Sequence, residues 1–238
     1  MKRPLFLILI VAFGLSTIPF TEAKAPRLTT VKKWETGRVL KVPESVIYDE
    51  GRNILYVSNI NGKPTEKNGK GFISSVSLTG EVKELTWITG LNAPKGSGIH
   101  NGKLYIADID RLVEIDIPAG KVINTYQAPG AQFLNDVAID EEGSVYVSDT
   151  SPINSVIYRL EEGKMSRWLG GNEISRPNGL YAEKERLIVG NSGDGKLKAV
   201  SWEDKTIKTI VVTGSGIDGI RRQEHGFSFF LPPQYLSS

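Results

Sequence analysis

Short apolar runs alternating with polar residues fill the chain, and no long helical period is evident. The clearest stretch is residues 133–150, FLNDVAIDEEGSVYVSDT. A polar pair, Asn135-Asp136, leads into the strand Val137–Ile139. An acidic turn ending in Gly143 follows, and a second strand, Val145–Val147, closes on Ser148-Asp149. Two apolar runs around a glycine-containing turn predict a β-hairpin.

The hairpin recurs from Glu44 to Asn59, from Gly98 to Asp108 and from Asn178 to Asn191, and a further copy begins at Ile217-Asp218-Gly219-Ile220. Tyr56, Tyr105, Tyr146 and Ile188 mark equivalent positions 49, 41 and 42 residues apart. Two more strand-like runs lie between hairpins, for example Val156–Leu160 and Met165–Leu169. A period of about 40–45 residues with four strands per unit is the β-propeller pattern. A β-sandwich of short, evenly spaced strands is the alternative, but sandwiches do not repeat at this length.

The expected fold class is therefore all-β: a β-propeller with four blades and the start of a fifth. The blades fall at about 43–90, 91–128, 129–171 and 172–214, and the fifth unit begins at Ser215. Asp218 to Gly226 repeats the eight-residue spacing of Asn135 to Gly143, with Phe227–Phe230 as the next strand. Ahead of the blades, Val31–Trp34 and Val39-Leu40 on either side of Gly37 predict one strand and a connector of the kind that closes a propeller ring. Leu231-Pro232-Pro233 cannot continue a paired strand. Residues 26–230 are thus read as an unfinished propeller and 231–238 as a tail outside the repeat. The loop 61–71 is long for a hairpin and is read as a surface insertion in preference to a lid.

Lys2-Arg3, the apolar run Leu5–Phe13 and the small-residue exit near Ala23 and Ala25 describe a secretory signal peptide over residues 1–25. The alternative is an uncleaved anchor, though Gly14 and Pro19 break the run and it is short for a span. With no cysteine in the chain, folding needs no disulfide, and a periplasmic or secreted location is expected. Net charge is +2, from 29 basic and 27 acidic residues, with no basic cluster interleaved with aromatics. Nothing there calls for nucleic acid, and none is expected as a partner; no membrane contact is expected after cleavage.

Candidate chemistry lies where each blade's innermost strand begins, because those ends face the central channel. Glu44, Asn135, Asn178 and Asp218 fall at that place in units one, three, four and five; unit two has Lys95 or Gly96 there. Four oxygen side chains converging on an axis, two of them carboxylates, suit a hard divalent cation such as Ca2+ or Mg2+. The competing reading is that they make strand-start turns, since Asn and Asp bond neighbouring backbone. Asn59, Asp108, Asp149 and Asn191, at the end of the second strand, are expected to cap turns, and Ser58 and Ser148 to be structural. His100 and His225 are far apart in the repeat, so neither a histidine triad nor a zinc site is expected.

Pro43-Glu44-Ser45, Leu134-Asn135-Asp136, Arg176-Pro177-Asn178-Gly179-Leu180 and Gly216-Ile217-Asp218-Gly219, in this order and spacing, resemble the senescence marker protein/gluconolactonase/luciferin-regenerating enzyme family of six-bladed, calcium-dependent propellers. The resemblance spans about Trp34 to Ile220. It implies a divalent cation, Ca2+ first, held by Glu44, Asn178 and Asp218, with Asn135 nearby to hold metal or substrate, assigned here to substrate. It also implies hydrolysis of a small-molecule lactone or ester, with Asp218 as the base for water. Sugar-lactone members carry an arginine at the place of Phe133, so a departure in substrate is expected. A non-catalytic binding or scaffold propeller, or an inactive truncated fragment, is the alternative.

Overall fold

The computed structural model describes residues 31–214, 216–223 and 226–229. The expected signal peptide, His225, Phe230 and the 231–238 tail lie outside the described residues. From Trp34 onward the chain forms one compact unit. Four four-stranded antiparallel sheets follow one another, each in plain up-and-down order. Blade one is β1 (Pro43–Asp49), β2 (Ile54–Asn59), β3 (Gly71–Ser77) and β4 (Val82–Leu91). Blade two is β5 (Pro94–His100), β6 (Lys103–Asp108), β7 (Arg111–Asp116) and β8 (Lys121–Gln127). Blade three is β9 (Leu134–Ile139), β10 (Val145–Asp149), β11 (Val156–Glu161) and β12 (Lys164–Gly170), and blade four is β13 (Pro177–Ala182), β14 (Arg186–Asn191), β15 (Lys196–Ser201) and β16 (Ile207–Val212). A two-stranded hairpin, β17 (Ile220–Gln223) and β18 (Gly226–Phe229), follows.

Turn chemistry sets the register. Between His100 and its partner Lys103, Asn101 and Gly102 both take positive φ (48° and 74°), the two-residue turn whose twist matches the flanking strands. The core is a set of seams between blades. Tyr56, Ile73 and Ile88 of blade one pack on Leu104, Ile106 and Val113 of blade two. Tyr105 and Leu112 pack on Val137, Val147 and Tyr158 of blade three, and Tyr146 and Ile157 on Leu180, Leu187 and Val189 of blade four. Ile188 and Leu197 meet Ile217, which leads into the hairpin, and Ile220 and Phe227 within it. A middle strand covered on both faces has no polar side, which is why all of β10 is buried and its sequence runs instead of alternating.

Blade one is covered on one face only. Val46 is 60% exposed and Tyr48 43%, and among the described residues no strand covers that face. The innermost strands touch in sequence, β1 to β5, β5 to β9, β9 to β13 and β13 to β17, and among the described residues no sheet joins β1 to β17.

Two expectations are corrected. No strand forms at 31–42. Trp34 lies over the β3–β4 turn instead, where a side chain on Gly80 would meet its ring at 2.6 Å. The last hairpin is also tighter than its spacing suggested: Gly226 pairs with Gln223 inside the ladder, and so does not play the turn role of Gly143, whose φ is 87°. Loop 61–70 is strapped to blade two by Gly69 N–H to Asn92 Oδ1 (3.2 Å) and by the Lys67–Asp110 ion pair (2.5 Å), and none of its residues lines the axial cavity.

Candidate axial site

Each innermost strand opens the same way. Pro43, Pro94, Leu134 and Pro177 stand opposite Asn59, Asp108, Asp149 and Asn191, and the register shifts within the next few residues. A bulge at that point re-aims the following side chain. The residues so placed are Glu44, Lys95, Asn135 and Asn178, which settles the blade-two position as Lys95.

The four partner residues are wholly buried and fasten the chain leading into the site. Asn59 Oδ1 accepts from Lys41 N–H (2.9 Å) and Asn191 Oδ1 from Ser175 N–H (2.8 Å). Asp108 accepts from Asn92 and Ala93 N–H and pairs with Arg111 at 2.7 Å. Asp149 accepts from Gln132, Phe133 and Ser151 N–H and from Asn154 Nδ2. Ser58 donates to Lys95 O and Ser148 to Asn178 O, both at 2.7 Å, so each ties its blade to the next.

Glu44, Asn135, Asn178 and Asp218 line one cavity of ≈ 560 Å3, together with Asp136 and Arg221. Asn178 Nδ2 donates to Asp218 Oδ1 (2.7 Å) and to Ser192 Oγ (3.2 Å). Sequence reasoning missed Asp136. The residue after each site position is otherwise small, Ser45, Gly96, Gly179 or Gly219, and a carboxylate in a row of small residues was the available signal. Asp136 accepts from Leu180 N–H of blade four (2.8 Å) and from Val137 N–H (2.8 Å), bridging two blades.

Within the cavity, neighbouring carboxylates raise the cost of ionising Glu44 and Asp136. Burial pushes Glu44 from 4.5 to about 8, with Asp136 and Asp218 adding and Lys95 opposing. By accessible area Glu44 counts as exposed, but its carboxyl lies deep among protein atoms, because that area opens into the cavity. Burial raises Asp136 to about 6 against the pull of its two backbone hydrogen bonds. Lys95 is lowered to about 8 by burial, opposed by Glu44, Asp108 and Asp149.

The sign follows. Between pH 4.5 and 8 the native state holds the Glu44 proton more tightly than the unfolded chain does, so stability falls as pH rises. In metal-free urea unfolding from pH 5 to 8, the wild type is expected to lose stability relative to Glu44→Gln; parallel profiles would disprove the crowding.

The donor set fits a hard cation in kind. Glu44, Asp218 and an Asn178 amide share the cavity, and carboxylate crowding is what a bound cation relieves. Among the described residues no group of three or more Asp, Glu, His or Cys side chains is placed to hold a metal ion.

No protein-family model and no curated protein sequence matches the chain. Solved structures do. A chain in the crystal structure of a nidogen/laminin complex aligns with TM-score 0.68 and 16% identity, over 80% of this chain and 72% of that one. The computationally designed Ika8 protein aligns with TM-score 0.55 and 12% identity, over 79% of this chain and 55% of the other. Together with the four repeated sheets, the likeness shows the class: the protein is a β-propeller.

Proposed function

We propose that the protein is a periplasmic or secreted propeller that hydrolyses a small lactone or ester in its axial cavity, with a divalent cation, Ca2+ first, held by Glu44, Asn178 and Asp218. The observation that supports this is the convergence of those three residues and Asn135, from three blades and the fifth unit, on one cavity. The gluconolactonase-like motifs in the sequence point the same way. A cation bound there would polarise the substrate carbonyl and offset the alkoxide charge. Asp218, oriented by the Asn178 amide, accepts the proton of the attacking water. Asn135 holds the substrate's polar groups, and its neighbour Phe133 in place of an arginine favours a substrate less polar than a sugar acid lactone.

The test is turnover of a lactone and aryl-ester panel by the folded chain, with calcium and with chelator. Calcium-stimulated turnover lost about 1,000-fold in Asp218→Ala is expected, the scale of losing a base and a ligand together. A folded, calcium-loaded protein inert across the panel would overturn the reading in favour of a non-catalytic binding propeller. That second reading is favoured by the uncovered face of blade one, and a structural neighbour is itself part of a protein complex.

A further inference from the structure

The two ends of an asparagine amide are alike in shape and opposite in chemistry, so its neighbours decide which end meets a ligand. Asn178 is 6% exposed and lines the axial cavity. Its Nδ2 donates to Asp218 Oδ1 (2.7 Å) and to Ser192 Oγ (3.2 Å), which engages both amide protons. Among the described residues no donor reaches its Oδ1. Nor is that oxygen sealed in protein: among the described residues the fully buried side-chain polar atom without a partner is Arg159 Nε. Asn178 therefore shows an acceptor oxygen to the cavity.

Ser192 makes this orientation obligatory. A serine hydroxyl has one proton. Ser192 donates it to Ile217 O (3.0 Å), a backbone carbonyl that can only accept. Toward Asn178 the hydroxyl oxygen is then an acceptor alone, and Nδ2 must face it. The Asp218 carboxylate demands the same end. A flipped amide would set its oxygen against two groups with no proton to give.

The repeat singles this serine out. The residue after the buried partner of each axial position is Ile60, Ile109, Thr150 and Ser192 in blades one to four. The two isoleucines form an apolar cluster with Ala93. Thr150 Oγ1 donates to Pro177 O (2.8 Å), the carbonyl before Asn178, just as Ser192 donates to the carbonyl before Asp218. Both hydroxyls strap one unit to the next, and of the two Ser192 alone also reaches an axial side chain.

We infer that Ser192 is a positioning residue of the axial site: its hydroxyl, committed to Ile217 O, locks the Asn178 amide with Oδ1 turned to the cavity and so sets the site to receive a cation. The inference rests on the cation-binding reading of the cavity and adds the residue that fixes the polarity of one ligand. A serine that only strapped blade four to the segment before Asp218 would steady the fold and leave cation affinity unchanged.

The experiment is calcium affinity by titration calorimetry for wild type, Ser192→Ala, Ser192→Thr and Thr150→Val, with thermal unfolding of each in EDTA. Removing a group that orients a metal ligand weakens metal binding by roughly 10–100-fold, so Ser192→Ala should bind calcium about tenfold more weakly. Ser192→Thr keeps the hydroxyl and should bind nearly as tightly as wild type. Thr150→Val breaks the equivalent strap and should melt earlier in EDTA, yet bind calcium as wild type does. Should Ser192→Ala not fold, side-chain amide exchange of isotope-labelled asparagine in the wild type decides. Two protected Asn178 Nδ2 protons support the lock, and two that exchange as fast as in free asparagine overturn it. Equal calcium affinity in wild type and Ser192→Ala, or an equal loss in Thr150→Val, overturns this inference alone. A wild type indifferent to calcium, magnesium and manganese removes the cation reading, and this inference with it.

Discussion

Asp149→Ala is expected to lower the unfolding free energy by about 3 kcal/mol or more, since each buried donor stripped of its acceptor costs roughly 1–3 kcal/mol. Four donors converge on that carboxylate: the N–H groups of Gln132 (3.0 Å), Phe133 (3.1 Å) and Ser151 (3.0 Å), and Asn154 Nδ2 (2.9 Å). The side chain is wholly buried, so water does not replace it without opening the blade. Gln132 and Phe133 lead directly to Asn135, and the loss should therefore reach the cavity as well as the fold. Asp149→Asn keeps one acceptor oxygen and should cost about half as much. Urea unfolding of the three proteins decides it; a loss below about 1 kcal/mol in Asp149→Ala would show that the clamp is dispensable.

Gly96→Ala is expected to be nearly as severe, although it adds a single methyl group. A Cβ on Gly96 would stand 2.4 Å from Asp136 Oδ1, 2.6 Å from Asn135 O and 2.6 Å from Asp136 Cα. Two of those atoms are backbone and cannot swing aside, so the β5–β9 seam must widen, at about 3 kcal/mol, the upper end of ordinary overpacking. The double variant Gly96→Ala/Asp136→Gly separates the contributions: it removes the carboxylate but leaves the Asn135 carbonyl in the way, so only partial recovery is expected. Gly163→Ala is the control. Its Cβ meets nothing within 4 Å, and only the positive φ of 75° is strained, at about 1 kcal/mol. A loss at Gly96 no larger than that at Gly163 would show that the blade seam takes up the methyl group without widening.

The repeat made the architecture legible. Hairpins at a steady period specify blades, because each sheet is too small to bury its faces alone and must stack on the next. Glu44, Asn135, Asn178 and Asp218 were legible because equivalent positions in a repeat share a place on the axis. Lys95 was visible but set aside, since an oxygen-ligand rule has no use for an ammonium. Asp136 was hidden because its role depends on Leu180 of the next blade and on the absent side chain of Gly96, neither of which lies near it in sequence. The strand expected at Val31–Trp34 failed for a related reason: local alternation does not show that Trp34 finds the turn at Gly80.

The seamed core has a consequence for how the molecule breathes. A stack in which each layer touches only its neighbours loses order from its ends inward, as the outermost layers are held on one side alone. Among the described residues blade one is one such end and the β17–β18 hairpin the other. Glu44 rides on the first and Asp218 immediately precedes the second, while Asn135 and Asn178 belong to interior blades. A guest gripping both carboxylates would therefore clasp the two outer layers of the stack, and the tightness of its grip and the stiffness of the arc would become one thermodynamic quantity.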